Sequence, residues 1–213
     1  MDKRQRLQGL YAITDPSLCP DATLTTQVEQ ALAGGCRVIQ FRDKRPGPVI
    51  RQTLARQLLE VCHANNACLL INDDLALAEE IGADGVHLGR DDPNPRAARK
   101  RLGEDAIIGV SCYNRLELAQ DAAALGVDYV AFGRFFPSQT KPQAVQAEPE
   151  LLRQARSALD LPLVAIGGIT PENGAPLVAA GADMLAVIQG VFGQADIEGA
   201  SRRLSNLFAT DMR

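Results

Sequence analysis

Polar side chains at alternating positions near residue 40 form a pattern that suits an anionic ligand. Residues 38–44 read Val-Ile-Gln-Phe-Arg-Asp-Lys, so that Gln40, Arg42 and Lys44 are each two residues apart. Residues two apart on a β-strand point to the same face of the sheet. An amide, a guanidinium and an ammonium on one face suit a pyrophosphate, and they are costly to bury without an anion. The pattern therefore predicts a phosphate-binding site.

Two carboxylates, Asp73 and Asp92, follow the third and fourth candidate strands and could share a cation. Neighbouring strands lie about 4.8 Å apart, so side chains at their ends can converge. Mg²⁺ is commonly held by one or two carboxylates together with phosphate oxygens and water. The pair therefore predicts a Mg²⁺ site. The alternative is that Asp73 or Asp74 caps one following helix and that Asp91 and Asp92 cap the next.

Two further segments suit phosphate or substrate binding. Gly167 and Gly168 follow the seventh candidate strand and Gln189 ends the eighth, where many barrels hold a phosphate, although a Gly-Gly pair can also be a tight turn. The segment 133–147 is long for a strand-to-helix connection, and such loops are often functional. It carries two hydroxyls and a cation, from Ser138, Thr140 and Lys141. The alternative for this segment is a solvated surface loop.

No nucleophilic triad is expected. Ser111 has no histidine base at a fixed offset, which favours a hydrogen-bonding role for its hydroxyl. His87 is interpreted as a structural histidine and His63 as an exposed one.

Apolar runs alternate with amphipathic helical stretches along the chain, a pattern that predicts a parallel sheet. The candidate strands are 8–14, 37–42, 68–72, 84–88, 106–111, 128–133, 162–166 and 183–188. The candidate helices are 24–34, 48–65, 74–81, 94–102, 114–125, 148–158, 171–180 and 194–209. Eight of each predict an α/β fold, a closed (β/α)₈ TIM barrel that forms one domain over residues 1–213. The alternative is an open doubly wound sheet, but no Gly-x-Gly-x-x-Gly follows the first strand.

A glycine recurs before every second candidate strand, at Gly34, Gly82, Gly126 and Gly181. Each fits the end of a helix, where a positive φ is often needed. An aspartate follows two residues later in the last three cases. These positions lie at the N-terminal face of the barrel, where we expect them to serve stability, whereas chemistry is expected at the C-terminal face.

Composition narrows the class of partner. The net charge is −4 and the apolar fraction is 46%, which argue against a nucleic-acid partner and for a well-filled core. Apolar runs fall short of the ~20 residues that span a bilayer, and the N-terminal residues lack the apolar segment of a secretory signal. Five cysteines without Cys-x-x-Cys spacing predict reduced thiols and no structural zinc. We therefore expect a cytoplasmic protein that acts on small molecules, with homo-oligomerisation left open.

Seven segments in this order resemble the thiamine phosphate synthase family over nearly the whole chain. They are 11–15 (YAITD), 40–44 (QFRDK), 71–74 (INDD), 83–89 (ADGVHLG), 108–111 (IGVS), 136–142 (FPSQTKP) and 165–170 (AIGGIT). The resemblance implies a TIM barrel that joins hydroxymethylpyrimidine diphosphate to hydroxyethylthiazole phosphate and releases pyrophosphate.

The resemblance also implies roles for matched residues. The pyrimidine diphosphate would contact Gln40, Arg42, Lys44, Asn72, Ser111 and Lys141, among which Arg42, Lys44, Ser111 and Lys141 would be catalytic. The thiazole phosphate would contact Ser138, Thr140, Gly168, Ile188 and Gln189, and Mg²⁺ would bind Asp73 and Asp92. The chain departs from the usual family pattern at Arg90, Tyr113, Gln139 and Gln189.

The chemistry implied for the family agrees with this inventory. A diphosphate leaving group needs its charge neutralised, and the thiazole nitrogen is itself the nucleophile, so the protein needs none. Two other functions remain open from the sequence. One is a related barrel that isomerises a thiazole phosphate, and the other is a non-catalytic sensor of thiamine precursors.

Overall fold

Eight parallel strands close into a barrel in chain order, and each is followed by helix on the outside. The computed structural model describes residues 3–137 and 145–211. The strands are β1 (Gly9–Ile13), β2 (Val38–Phe41), β3 (Cys68–Asn72), β4 (Gly85–Leu88), β5 (Ile107–Tyr113), β6 (Tyr129–Gly133), β7 (Leu163–Ile166) and β8 (Met184–Val187). The predicted (β/α)₈ TIM barrel is confirmed.

The helices are α1 (Lys3–Arg6), α2 (Leu24–Ala33), α3 (Pro48–Ala64), α4 (Leu75–Ile81), α5 (Pro95–Leu102), α6 (Leu116–Ala124), α7 (Pro149–Ala158), α8 (Ala175–Ala179), α9 (Gln189–Phe192) and α10 (Ile197–Ser205), followed by a 3₁₀ turn at Asn206–Asp211. Helices α1 and α9 were not predicted, because four residues are too few to show a helical period. Within the described residues, every helix is too short or too polar to cross a membrane. All five cysteines carry free, buried thiols.

Apolar side chains fill both faces of the sheet, as expected when helices cover the outside of a parallel barrel. In β3, Leu69 and Ile71 pack outward against the helices, whereas Cys68 and Leu70 point into the barrel. The barrel interior is therefore a second apolar cluster, which includes Tyr11, Val38, Ile107, Tyr129, Val164 and Met184. This interior core supports the residues at the C-terminal end of the barrel.

At the N-terminal end of the barrel, the recurring aspartates join neighbouring strands. Asp84, Asp128 and Asp183 each accept a hydrogen bond, at 2.7–2.8 Å, from a backbone N–H in the first two residues of the preceding strand. Each also pairs with an arginine, namely Arg6, Arg99 and Arg156. The glycines before them have positive φ, for example +68° at Gly82 and +108° at Gly181. This geometry agrees with the stability role that the repeat predicts.

Candidate active site

A cavity of about 580 Å³ opens at the C-terminal end of the barrel. It is lined by every predicted site residue that the structure describes: Gln40, Arg42, Lys44, Asn72, Asp73, Asp92, Ser111, Gly168, Ile188 and Gln189. The other three predicted site residues, Ser138, Thr140 and Lys141, lie outside the described residues. Residues from six different strands or their following loops therefore meet in one place.

Strand alternation explains why this end is polar. Leu70 fills the barrel interior, and Asn72, two residues further along the same strand, reaches the cavity. In β5, Ile107 lies in the interior and Ser111, four residues further along and on the same face, reaches the cavity. In these two strands the inward row thus runs from an apolar residue in the core to a polar residue at the mouth.

The cations of the 38–44 segment lie at the mouth, but not on a strand. The predicted strand 37–42 ends at Phe41, so Arg42 and Lys44 belong to the following loop. Arg42 Nη1 lies 3.2 Å from Asp15 Oδ2, and its backbone N–H donates to Thr14 Oγ1. The prediction of a strand face carrying all three side chains is therefore wrong beyond Gln40, although all three side chains line the same cavity.

The carboxyl groups of Asp73 and Asp92 are near enough for each to shift the pKa of the other. Lys44 Nζ lies 3.0 Å from Asp73 Oδ2, and the backbone N–H of Gly89 donates to Asp92 Oδ2 at 2.6 Å. Burial raises the pKa of Asp92, and although the Gly89 hydrogen bond opposes this, the Asp73 carboxylate leaves the pKa above its usual value. Burial alone would raise the pKa of Asp73, but the Lys44 ammonium, together with Asp92 and Asn72, brings the pKa below its usual range.

Helix capping does not account for this carboxylate pair. Asp74, and not Asp73, caps α4 by accepting from Leu77 N at 3.0 Å. Asn94, and not Asp91 or Asp92, caps α5.

The donor set fits Mg²⁺. Two neighbouring carboxylates suit a cation between them, and carboxylate oxygens are ligands of the kind that Mg²⁺ takes. The residues described contain no cluster of three or more His, Cys, Asp or Glu side chains that could enclose a metal. A cation at this pair would thus take its remaining ligands from phosphate oxygens and water, as Mg²⁺ commonly does.

The other side of the mouth is formed by Gly167 and Gly168, whose φ angles are +104° and +64°. A Cβ atom at Gly167 would lie 2.3 Å from Arg134 Cβ, and one at Gly168 would lie 2.3 Å from the carbonyl oxygen of Pro137. Glycine is therefore required at both positions by the backbone conformation and by the close approach of the chain after β6. Gln189, the first residue of α9, lines the same side.

Five side chains form a continuous row of hydrogen bonds beneath the cavity, and sequence reasoning missed most of it. Gln40 Nε2 donates to Tyr11 Oη, which lies 3.0 Å from Tyr129 Oη. Tyr129 Oη lies 2.8 Å from His87 Nδ1, and His87 Nε2 lies 2.8 Å from Ser111 Oγ. The two tyrosines sit at inward positions of β1 and β6, and that periodicity is the signal that could have placed them in the interior.

Two departures from the usual pattern of the resembled family, Arg90 and Tyr113, contact each other. The guanidinium carbon of Arg90 lies 4.9 Å from the ring centroid of Tyr113, a cation–π geometry. Tyr113 has a φ of +56°, and the β5–β6 register shifts between it and Ser111. The predicted strand 106–111 therefore extends to Tyr113 through this irregularity.

Known proteins resemble the chain over most of its length. The model of the family described as thiamine monophosphate synthase matches residues 10–191. A thiamine-phosphate synthase of Alcanivorax borkumensis is 50% identical over 209 residues, 97% of this chain and 96% of the relative. One of Nitrosococcus oceani is 53% identical over 195 residues, covering 92% and 90% of the two chains. The solved structure of thiamine phosphate pyrophosphorylase from Pyrococcus furiosus superposes with a TM-score of 0.90, at 31% identity and with both chains fully covered.

Proposed function

The chain belongs to the thiamine monophosphate synthase family and is a transferase that makes thiamine phosphate, and we propose that it does so by a Mg²⁺-assisted dissociative substitution at the barrel mouth. Hydroxymethylpyrimidine diphosphate would give up pyrophosphate, and hydroxyethylthiazole phosphate would take its place. The observation that carries the mechanism is the meeting of two cations, Arg42 and Lys44, with the carboxylates Asp73 and Asp92 in one cavity.

The diphosphate would lie on the side of the mouth that carries these charges. Lys44 is paired with Asp73 and Arg42 with Asp15 in the free protein. The Lys44 side chain is 63% exposed, so it can turn towards a ligand at little cost. A diphosphate would then accept hydrogen bonds from both cations, which neutralise its charge as the C–O bond breaks.

Asp73 and Asp92 are the residues that would hold Mg²⁺. When bound, the ion would stabilise the negative charge of the departing pyrophosphate as a Lewis acid. The proximity of Asp92 to Asp73, and the raised pKa of Asp92, support this assignment, because a cation relieves the repulsion between two carboxylates. Arg90, which lines the same cavity, would add positive charge beside the leaving group.

The remaining residues would orient the two substrates. Gln40, Asn72 and Ser111 offer uncharged hydrogen-bonding groups to the pyrimidine substrate, and Lys141 a further cation. Gly168, Ile188 and Gln189, with Ser138 and Thr140, would contact the thiazole phosphate. The pyrimidine ring stabilises the methylene cation that forms when pyrophosphate leaves, and the thiazole nitrogen attacks that cation. Placing the two reactants together and excluding water is then the main task of the protein.

We also propose that residues 1–213 form a single domain, that the protein acts in the cytoplasm on small molecules, and that neither nucleic acid nor membrane is a partner. The net charge of −4 supports the exclusion of nucleic acid.

The experiment supplies both substrates with Mg²⁺ and measures thiamine phosphate and pyrophosphate. The proposal expects the two products in equal amounts and no turnover when EDTA replaces Mg²⁺. Asp92→Ala is the loss-of-function control, and Asp91→Ala is its matched neighbour, an acidic residue on the same cavity that is not assigned to the metal. Folded protein that binds either substrate yet gives no product would favour the sensor. An isomerase has no use for a diphosphate site, so release of pyrophosphate would exclude that alternative. Product formation without Mg²⁺ or without the Arg42 side chain would contradict the proposed mechanism.

A further inference from the structure

The row of hydrogen bonds beneath the cavity joins two residues at its two ends, Gln40 and Ser111, that are proposed to contact substrate. Three residues link them in the order Tyr11, Tyr129 and His87. The rings also pack together. Tyr11 meets Tyr129 edge to face with centroids 6.1 Å apart, and His87 stacks on Tyr129 with centroids 5.7 Å apart and planes 21° apart. The row therefore crosses the barrel as one packed unit.

The two tyrosines are neutral phenols. Tyr129 is fully buried and Tyr11 is 1% exposed. Burial raises the pKa of both hydroxyls above their usual value. Each phenol thus carries one O–H hydrogen, which it can donate to a single partner.

Space for this row depends on one glycine. A Cβ atom at Gly109 would lie 1.9 Å from Tyr129 Cζ, so the ring occupies the volume that any other residue would fill. Gly109 is two residues before Ser111 on β5 and therefore lies directly beneath it on the inward face. The strand thus leaves room for the ring and carries the hydroxyl above it.

The direction of hydrogen-bond donation along the row follows from Gln40, the residue at its first end. Gln40 donates its amide N–H to Tyr11 Oη, so the hydrogen of Tyr11 serves its other partner, Tyr129. The hydrogen of Tyr129 in turn serves His87 Nδ1. A neutral imidazole that accepts at Nδ1 carries its hydrogen on Nε2. That hydrogen would then be donated to Ser111 Oγ, which lies 2.8 Å away. Ser111 Oγ thus accepts from the ring and keeps its own hydrogen for another acceptor.

We propose that Tyr11, Tyr129 and His87 form a directional relay that fixes the Ser111 hydroxyl as a hydrogen-bond donor to the bound pyrimidine diphosphate. His87 is then a positioning residue that acts through Ser111 from its Nε2 side. The inference rests on the proposed function, because it names the group that Ser111 serves. At the other end, Gln40 lines the cavity and would offer its carbonyl oxygen as an acceptor to the same substrate.

The same row of hydrogen bonds could also run in the opposite direction, and this alternative makes the inference testable. If the Gln40 amide were turned over, every donation would reverse, the His87 hydrogen would move to Nδ1, and Ser111 would donate to the ring. The cavity would then meet a lone pair at Ser111 instead of a hydrogen. The tautomer of His87 therefore reports the polarity of the whole row.

The first measurement reads that tautomer directly by ¹⁵N NMR of the wild-type protein labelled at histidine. The chain has two histidines, and His63→Gln, which changes an exposed residue paired with Asp84 at the other end of the barrel, assigns the signals. The proposal expects an unprotonated Nδ1 and a protonated Nε2 for His87. A hydrogen on Nδ1, or on both nitrogens, would overturn it.

The second measurement uses a matched pair of variants. His87→Gln places an amide N–H near the position of Nε2 and keeps the donation to Ser111. His87→Asn places an amide near Nδ1, keeps a partner for Tyr129 and does not reach Ser111. The proposal expects kcat of His87→Asn to fall about tenfold below that of His87→Gln, the change expected from one ordinary hydrogen bond in the transition state. Equal losses in the two variants would mean that His87 only fills space, and would overturn the relay.

A double variant tests whether His87 acts through Ser111. In the Ser111→Ala background, His87→Asn should cause no further loss of kcat, and KM for the thiazole phosphate should stay at its wild-type value in all variants. Independent, multiplying losses would contradict a shared path. Wild-type turnover is measured first, so that failure of the proposed function shows as absent product, whereas failure of the relay shows in an active enzyme. The NMR readout needs no variant at His87 and stands if either variant does not fold.

Discussion

Replacing Asp92 with asparagine should stabilise the free protein while it removes activity. The pKa of Asp92 is raised above the usual value, first by burial and then by the nearby carboxylate of Asp73. A raised carboxylate pKa means that stability is present below the unfolded-state pKa and is lost as the pH rises through the folded-state pKa. At neutral pH the ionised Asp92 therefore costs folding free energy, and Asp92→Asn cannot incur that cost.

The size of the effect follows from the geometry. Two unit charges about 4 Å apart repel by about 1 kcal/mol in water and by about 4 kcal/mol at a protein surface of lower effective dielectric. Solvent reaches this pair and Lys44 offsets part of the charge, so the lower figure applies. For a chain of this size, about 1 kcal/mol corresponds to a rise in Tm of about 2–4 °C. The asparagine oxygen can still accept from Gly89 N, so no other contact need be lost.

Thermal unfolding followed by circular dichroism, first in EDTA and then in Mg²⁺ with pyrophosphate, measures this effect. Asp92→Asn should melt above wild type in EDTA and should gain less than wild type from the two ligands, while kcat falls by about two orders of magnitude. Asp91→Asn is the control for a change of net charge at the same rim and should follow wild type in all three measurements. A lower Tm for Asp92→Asn in EDTA, or an equal gain from Mg²⁺ and pyrophosphate, would refute the reasoning.

Two further substitutions test other parts of the account. Arg42→Ala should raise the Kd for hydroxymethylpyrimidine diphosphate at least tenfold more than that for hydroxyethylthiazole phosphate, as measured by calorimetry. The reason is that the Arg42 guanidinium lies on the proposed diphosphate side, beside Asp15. Equal losses of affinity for the two substrates would contradict the division of the cavity. Gly109→Ala should lower the free energy of unfolding in urea by about 3 kcal/mol, because the added Cβ overlaps the ring of Tyr129. Gly126→Ala has open space around the added atom and only a φ of +78° to oppose it, so about 1 kcal/mol is expected there, and equal costs for the two variants would argue against the fit of Tyr129 under the site.

The barrel could be predicted because its signals are local and repeated. Each strand is an apolar run, and each boundary lies within two residues of its predicted position. The extension of β5 to Tyr113 could not be predicted, since it depends on a register shift against β6. Helices α1 and α9 are four residues long, which is too short for a sequence period to show.

The site was predictable where chemistry and strand order coincide. Arg42, Lys44, Asp73 and Asp92 are charged residues that directly follow apolar strands, and in a barrel such positions meet at one mouth. Their partners were not predictable. Asp15 neutralises Arg42 from a different loop, and this pairing is set by the three-dimensional course of two connections.

The buried row was missed for a related reason. Tyr11 and Tyr129 each look like an ordinary aromatic core residue, and His87 like a structural histidine. Their significance comes from hydrogen bonds between β1, β4 and β6, which are distant in sequence. Only the closed barrel, in which Gly109 leaves room for Tyr129, joins them into one path.

A crystal structure with pyrophosphate and Mn²⁺, whose anomalous scattering locates the ion, tests the central claim most directly. The account predicts an anomalous peak at coordination distance from both Asp73 and Asp92, with pyrophosphate oxygens bound to the ion and within hydrogen-bond distance of Arg42 and Lys44. An ion that binds elsewhere, or a pyrophosphate seated only against Gly167 and Gly168, would contradict it.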